Sequence, residues 1–246
     1  WDSQSQGGLL WARETFSYDL LHRLRETVRI QGSGAAGTGT PSGLGQESYT
    51  YAPNGNLLSK SDFGENYTYV ANRVQSVDLR DNGPTQRYEY DLNGNLQRVY
   101  VDGGIGGRID RKLLNYDPYN KPLFIDDKVS GRRLEFAYGS NDQRFIQLKD
   151  LTGDYTVYID KLFEAEGSSG TPNTDLEAKL YIGDYAVYDL TLTNNAEGPA
   201  RAELNYLHRD RLGSVVAMSN SQGAVINMTG RGFDAFGKPR EEGWQD

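Results

Sequence analysis

Around residue 88 the chain alternates strictly between ring and charge: Tyr88 and Tyr90 are interleaved with Arg87 and Glu89. A period of two places both rings on one face of an extended strand. Asp91-Leu-Asn-Gly94-Asn95 then interrupts the pattern, and Asn93-Gly94 is a strong hairpin signal because glycine takes a positive φ without a Cβ clash and asparagine tolerates it. Apolar spacing resumes at Leu96, so Arg87 to Val99 predicts strand, turn, strand. The same order returns in Ser48 to Lys60, where Tyr51 precedes Asn54-Gly55-Asn56-Leu57. It returns again in Thr15 to Arg29 (Phe16, Tyr18, Asp19, then Arg23-Leu24), in Tyr67 to Val77 with a turn one residue shorter, in Leu114 to Phe124 (Tyr116, Asp117), and in Leu134 to Phe145 with a turn one residue longer.

Taken alone, Leu20, Leu21, Leu24 and Val28 fit a helical stripe. The alignment of Phe16-x-Tyr18-Asp19 with the other copies overrides it and predicts a hairpin, with His22 in the turn position that glycine holds elsewhere. A motif in fixed order every ~20 residues is the mark of a repeat architecture. The fold class expected is therefore all-β, a succession of antiparallel hairpins, with Tyr51, Tyr69, Tyr90, Tyr116 and Tyr138 at equivalent places and their rings stacked from hairpin to hairpin. Leu96 and Val99, like Val74 and Val77, are three apart and fall on opposite faces of a regular strand, which implies either a bulge or a strand covered on both sides.

Three segments are expected. Residues 1–163 hold the hairpins, with a flexible Gly/Ser/Thr-rich insertion at 31–46. Residues 164–203 hold one further hairpin, Leu180 to Leu190 around a Gly-Asp turn, flanked by polar insertions. Residues 204–246 form a distinct ending, with Tyr206, His208, Asp210, Leu212, Gly213 and Ser214 in one group and Phe233, Asp234, Phe236 and Gly237 in a second.

These residues carry a resemblance. The order Tyr-Asp-x-x-Gly-Asn/Arg-Leu, seen through Tyr18, Asp19, Tyr51, Gly55, Tyr90, Asp91, Gly94, Tyr116 and Asp117, resembles the signature of YD-repeat proteins, also called RHS-repeat proteins. The ending Tyr206 to Arg240 looks like their core motif. The resemblance covers residues 14 to about 160 and about 204 to 240. It implies that the hairpins wind as a curved spiral strip and form part of a shell. Relatives include bacterial toxin-complex components, polymorphic toxins and animal teneurins; in the bacterial toxins the shell encloses a C-terminal toxic domain that an aspartate-dependent self-cleavage frees. Phe233-Asp-Ala-Phe-Gly237-Lys resembles the bacterial ending more than the animal one. The chain opens mid-motif at Trp1, as an excised piece would, and stops before the segment that carries self-cleavage in such relatives. No catalytic residue is therefore transferred to it.

Composition narrows the function classes. Hydrophobic residues make up 37% of the 246, and 17 tyrosines supply much of the apolar area, which suits strands wetted on one side. The net charge of −8 without a basic cluster argues against nucleic acid and anionic membrane as partners. No apolar run approaches the ~20 residues of a membrane helix. With no cysteine, disulfides and thiolate metal sites are excluded.

No catalytic motif emerges. Asp91-x-Asn93-x-Asn95 opens like a calcium loop, but Leu96 stands where that loop needs glycine. His208-Arg209-Asp210-Arg211 is the densest ionisable cluster, either a general base with its partners or a structural set in which Asp210 and Arg211 pair across strands. No cofactor or metal is expected. The sequence points to a non-enzymatic shell segment of a secreted or surface-exposed bacterial toxin or effector, its partners a protein cargo or other shell segments. An adhesion module binding surface glycans through exposed tyrosines is the alternative.

Overall fold

A computed structural model describes residues 2–4, 10–33, 42–104, 107–149, 153–168, 175–193, 198–210, 213–227, 233–234 and 236–238. Among these no helix occurs; the elements are twenty strands. They are β1 (Asp2–Gln4), β2 (Leu10–Tyr18), β3 (Leu24–Ser33), β4 (Ser42–Tyr51), β5 (Leu57–Lys60), β6 (Gly64–Val70), β7 (Arg73–Leu79), β8 (Thr85–Tyr90), β9 (Leu96–Gly103) and β10 (Gly107–Tyr116). They continue as β11 (Pro122–Asp127), β12 (Arg132–Tyr138), β13 (Arg144–Lys149), β14 (Asp154–Ile159), β15 (Phe163–Ser168), β16 (Leu176–Ile182), β17 (Ala186–Leu192), β18 (Arg201–Arg209), β19 (Val215–Asn220) and β20 (Val225–Asn227).

The chain divides into two compact units. One holds residues 1–89, 100–109 and 233–246; the other holds 90–99 and 110–232. In the first, β1 to β8 pair antiparallel in chain order. In the second, β10 to β20 do the same. The hairpin succession expected from the sequence is present in each unit. The segment that a helical stripe would have claimed is the turn and strand from Asp19 into β3.

One turn explains the repeat signature. In it the first residue donates its N–H to the carbonyl of the fifth, and the fourth donates back to the carbonyl of the first. This pair of bonds occurs eight times among the described residues, in turns beginning at Asp19, Ala52, Asp91, Asp117, Gly139, Asp210, Asn220 and Asp234. The fourth residue always has positive φ: His22 (60°), Gly55 (92°), Gly94 (90°), Asn120 (64°), Asp142 (65°), Gly213 (89°), Gly223 (79°) and Gly237 (83°). A single left-handed residue after a tight turn is the three-residue hairpin loop with its bulge, and the ladders shift register there, for example between Ser17 and Tyr18.

His22 is thus a turn residue, as its alignment predicts. Both Asn-Gly pairs lie in hairpin turns as expected; Asn54 and Asn93 are not among the residues of positive φ, so glycine alone carries the special conformation there. The turn in Leu134 to Phe145 is also the same length as the others, not one residue longer. The shorter turn after Val70 is a separate type, with Ala71 and Asn72 both at positive φ (49° and 61°).

The aspartate at the first position is the peg of the turn. Asp19 Oδ1 accepts the N–H of Leu21 and Arg23 at 2.8 and 2.9 Å, and Asp117 Oδ1 accepts those of Tyr119 and Lys121 at the same distances. Asn220 Oδ1 accepts Gln222 and Ala224, so an amide does the same work. Where the first residue is Ala52 or Gly139, the third supplies the acceptor: Asn54 to Asn56 N–H and Asn141 to Gln143 N–H, each 3.2 Å. Asp91 accepts from the Asn95 backbone and side chain at 2.8 and 2.9 Å, one bond to each carboxylate oxygen, so the stretch that opens like a calcium loop is a turn braced by its own aspartate.

Neighbouring turns are tied to one another within each unit. Arg23 donates to the carbonyl of Ala52 at 2.9 Å and lies 4.9 Å over the Tyr51 ring. Lys121 pairs with Asp142 at 2.5 Å and lies 5.3 Å from the Tyr138 ring. Asn95 donates to Asn120 at 2.8 Å. At Tyr51 and Tyr138 a cation from the preceding turn is thus set against the next ring. Tyr69 and Tyr138 also send their hydroxyls back to the carbonyls of Leu57 and Pro122, at 2.7 and 2.8 Å.

The insertion expected at 31–46 is narrower than the composition implies. β3 runs through Ser33 and β4 begins at Ser42, and residues 34–41 lie outside the described residues. The polar insertions of the second segment are likewise shortened by β15 and β16. Val99, Tyr100 and Val101 are three successive residues under 9% exposed, so this stretch of β9 is covered on both faces, which answers the spacing of Leu96 and Val99.

Candidate functional site: the docked last turn

The interior of the first unit is ionic. Thr27, Arg29, Glu47 and Tyr49 are at most 2% exposed, and Lys60 and Asp234 are buried beside them. Alternation puts Thr27 and Arg29 on one face of β3, and Glu47 and Tyr49 on one face of β4. Register sets Thr27 opposite Glu47 and Tyr49 opposite Lys60. Arg29 needs room, and Gly45 across from it provides that room: a Cβ there would lie 2.9 Å from the guanidinium.

The groups are held by close polar contacts in two adjacent sets. Arg29 pairs with Glu47 Oε1 at 3.2 Å, and the Tyr49 hydroxyl donates to Glu47 Oε2 at 2.5 Å. Lys60 Nζ donates to both oxygens of Asp62 at 2.6 Å and to Asp234 Oδ2 at 3.0 Å. Lys238 stands 3.6 Å from Asp62. Ligand oxygens of Glu47, Asp62 and Asp234 lie within 4.8 Å of one another, a spacing that could hold a metal ion. The Lys60 ammonium already sits among them, bonded to Asp62 and Asp234, and gives the charge compensation that a cation would. Two buried cations (Arg29, Lys60) face three carboxylates (Glu47, Asp62, Asp234), and the third cation, Lys238, reaches Asp62 from the surface, its side chain half exposed.

Electrostatic directions follow. Burial pushes the Asp234 carboxyl up, but the Lys238 N–H, the Lys60 ammonium and the Phe236 N–H together bring it below its ordinary value. Burial pushes the Lys60 ammonium down, and its bonds to Asp62 and Asp234 outweigh this and raise it. Burial, then the Glu47 acceptor, raise the Tyr49 phenol, which stays protonated as the donor of this bond.

Asp234 belongs to the eighth turn, Asp234 to Lys238. This turn is closed by its own bonds: Asp234 N–H to Lys238 O, Gly237 N–H to Asp234 O, and Asp234 Oδ1 to the N–H groups of Phe236 and Lys238 at 2.8 and 2.7 Å. It docks by its side chains. Oδ2 of Asp234 meets Lys60, the Phe236 ring lies 5.1 Å from the Tyr49 ring at 47°, and Lys60 Nζ lies 5.8 Å from Phe236. The second part of the ending, Phe233 to Gly237, is thus a plug seated on β4 and β5.

The first part of the ending is the sixth turn of the same kind. Asp210 Oδ1 accepts from Ser214 N–H at 2.9 Å, and Gly213 donates to Asp210 O. Leu212 and Arg211 lie outside the described residues. The ionisable cluster is split: His208 Nε2 is 2.8 Å from Ser219 Oγ, while Arg209 donates to the carbonyls of Asp184 and Gly213. Asp210 serves its turn. Tyr206 is half-exposed on β18.

Sequence reasoning missed Arg29, Glu47, Lys60 and Asp62. Their one legible signal was the alternation itself, since Glu47 and Arg29 share a period with Tyr49 and Thr27, but Val28 and Ile30 offered a more apolar face to bury.

No family model matches the sequence, and no curated protein matches it. Among solved structures the chain is similar to the crystal structure of TcdB2-TccC3, at 14% identity and a TM-score of 0.42, over 94% of this chain and 15% of that one. It is similar to TcdB2-TccC3-Cdc42 at 15% identity and a TM-score of 0.41, over 94% and 15%. It is similar also to TcdB2-TccC3 without its hypervariable C-terminal region, at 13% and 0.43, over 94% and 16%. The chain spans about one sixth of the length of the chains it matches.

Proposed function

We propose that this chain is a scaffold segment of a toxin-associated RHS-type shell, and that its hairpins hold a protein cargo without chemistry of their own. The observation that supports this reading is the eightfold use of one hydrogen-bonded turn. The residues of the repeat signature are spent on backbone geometry: the aspartate pegs the turn, the glycine or its substitute takes the left-handed position, and the tyrosine and the fifth residue tie hairpins together. A signature consumed in this way serves construction.

The second unit offers a surface suited to cargo. Register aligns Glu164 with Lys179 and Asp189, and Glu166 with Glu177, while Asp189 stands opposite Glu203. Three of these acids carry a cation of their own, Glu164 with Lys179, Glu166 with Lys149 and Glu203 with Arg201, and Glu177 and Asp189 make the excess. An acid-rich sheet face attracts a basic polypeptide through screened charge, which is loose and reversible. Delivery outside the producing bacterium is part of the same proposal.

The test is co-expression with the domain encoded downstream in the parent gene. Co-purification that weakens as salt rises, with protection of that domain from protease, supports the reading. Saturable binding of one sugar class on a glycan array, with no affinity for the downstream domain, would replace it by adhesion.

A further inference from the structure

The geometry points to the dock as an exchange joint: the site made by Tyr49, Lys60 and Asp62 accepts the Asp234–Lys238 turn of a second copy of this chain as it accepts its own.

The turn is the ligand of this joint. Its shape is fixed by its own hydrogen bonds, four of which run between Asp234 and residues 236 to 238. A pre-organised ligand loses little entropy on binding. The receptor is equally fixed, since Tyr49 is held by Glu47 and Glu47 by Arg29, all within the interior. Recognition is carried by side chains at the surface between the two: Asp234 Oδ2 on Lys60, Lys238 toward Asp62, Phe236 on Tyr49. Each side offers a charge of the opposite sign to the other, so the match is complementary in both directions.

Selectivity is also visible. Asp117-Pro118-Tyr119-Asn120-Lys121 has the same arrangement of aspartate, aromatic third residue and lysine fifth residue. Its Lys121 is engaged by Asp142 and lies near Tyr138, and its Asn120 by Asn95. That turn is built into the row of its neighbours, whereas the fifth residue of the last turn, Lys238, faces the dock. The strength of the joint suits exchange. The Asp234 side chain is 1% exposed, but Phe236 keeps 54% of its surface in solvent, so one buried ion pair is joined by an aromatic anchor only half withdrawn from water. A partner copy that offers the same turn meets the same contacts, and the exchange adds no new interface chemistry.

The test mixes two full-length variants. Lys60→Glu keeps a native turn and loses its receptor; Asp234→Lys keeps a native receptor and loses its turn. Each alone runs as a monomer by light scattering. Their equimolar mixture gives a one-to-one heterodimer, because the native turn of the first fits the native receptor of the second. Should Lys60→Glu fail to fold, Lys60→Met replaces it, since removing the ammonium disables the receptor without adding a charge. A labelled peptide of residues 230–240 gives a second readout: it binds the Asp234→Lys chain, and the same peptide carrying Asp234→Lys binds at least about 30-fold more weakly. A mixture that scatters as the sum of two monomers, together with a native peptide that does not bind the Asp234→Lys chain, would overturn the proposal.

Discussion

Asp234 Oδ2 lies 3.0 Å from Lys60 Nζ, although the two residues are 174 positions apart in the chain. The pair holds the last turn against the hairpin of β4 and β5. Removing Lys60 strands the buried Asp234 carboxylate, and removing the Asp234 charge takes the turn's anchor from Lys60, which keeps Asp62, so either change should release the turn. Asp234→Asn is the informative change, because Asn220 shows that an amide still pegs this turn. We expect the Asp234→Asn chain to keep its hairpins and lose protection at the Phe236 and Lys238 amides, read by hydrogen exchange.

The pH dependence of that dock has a definite sign. Asp234 is lowered from 3.8, so its contribution is present above that value and is lost as the pH falls through the lower folded value. Lys60 is raised from 10.5, so its contribution is present below that value and is lost as the pH rises through the higher folded value. The destabilisation caused by Asp234→Asn should therefore be constant from about pH 5 to about pH 9 and shrink as the pH falls below 3.8. Urea denaturation of both chains across this range checks it. Because the groups are buried, moderate salt should leave the difference unchanged.

Tyr49→Phe removes a hydroxyl that donates to Glu47 inside the first unit. Leaving that carboxylate oxygen without its donor should cost about 1–3 kcal/mol. Gly45→Ala attacks the same network from the other side, since its Cβ would press on the Arg29 guanidinium at 2.9 Å; a loss of about 1–2 kcal/mol is expected. Chemical denaturation midpoints measure both.

The turn positions make a separate prediction. Gly94, at φ 90°, should not tolerate a β-branched residue, and Gly94→Val should cost about 1–2 kcal/mol. His22 stands in the same position at 60°, so His22→Gly should be neutral or stabilising by up to about 1 kcal/mol, as relief of the left-handed strain is set against glycine's greater chain entropy. Asp91→Ala should lower the melting temperature by removing the acceptor that holds the Asn95 N–H. Thermal melts of the three variants order them.

These residues also show what was legible. The hairpins were readable because the turn is local: peg, left-handed residue and strand alternation all lie within a dozen residues of one another, and even His22 was placed by position. The Asn-Gly pair marked both hairpin turns correctly, although the bulge that follows Tyr51 or Tyr90 needs only the glycine in the left-handed conformation. The cations beside the tyrosines were not legible: Arg23 lies over the Tyr51 ring and Lys121 near the Tyr138 ring, an attractive arrangement that the spacing of the rings does not announce. The dock was invisible because its partners come from strands far apart in sequence. Phe233 to Gly237 could be recognised as a motif, but nothing local says that Asp234 faces a lysine from β5, or that Arg29 lies under Val28 and Ile30 in the interior.

The central claim is that the last copy of a repeated turn is held in the first unit by one buried ion pair. A double-mutant cycle on Lys60→Met and Asp234→Asn, followed by urea denaturation at neutral pH, tests it most directly. The account predicts a coupling of about 1–3 kcal/mol, with the double variant no less stable than the more damaged single variant. Two losses that add to within about 0.5 kcal/mol would contradict it.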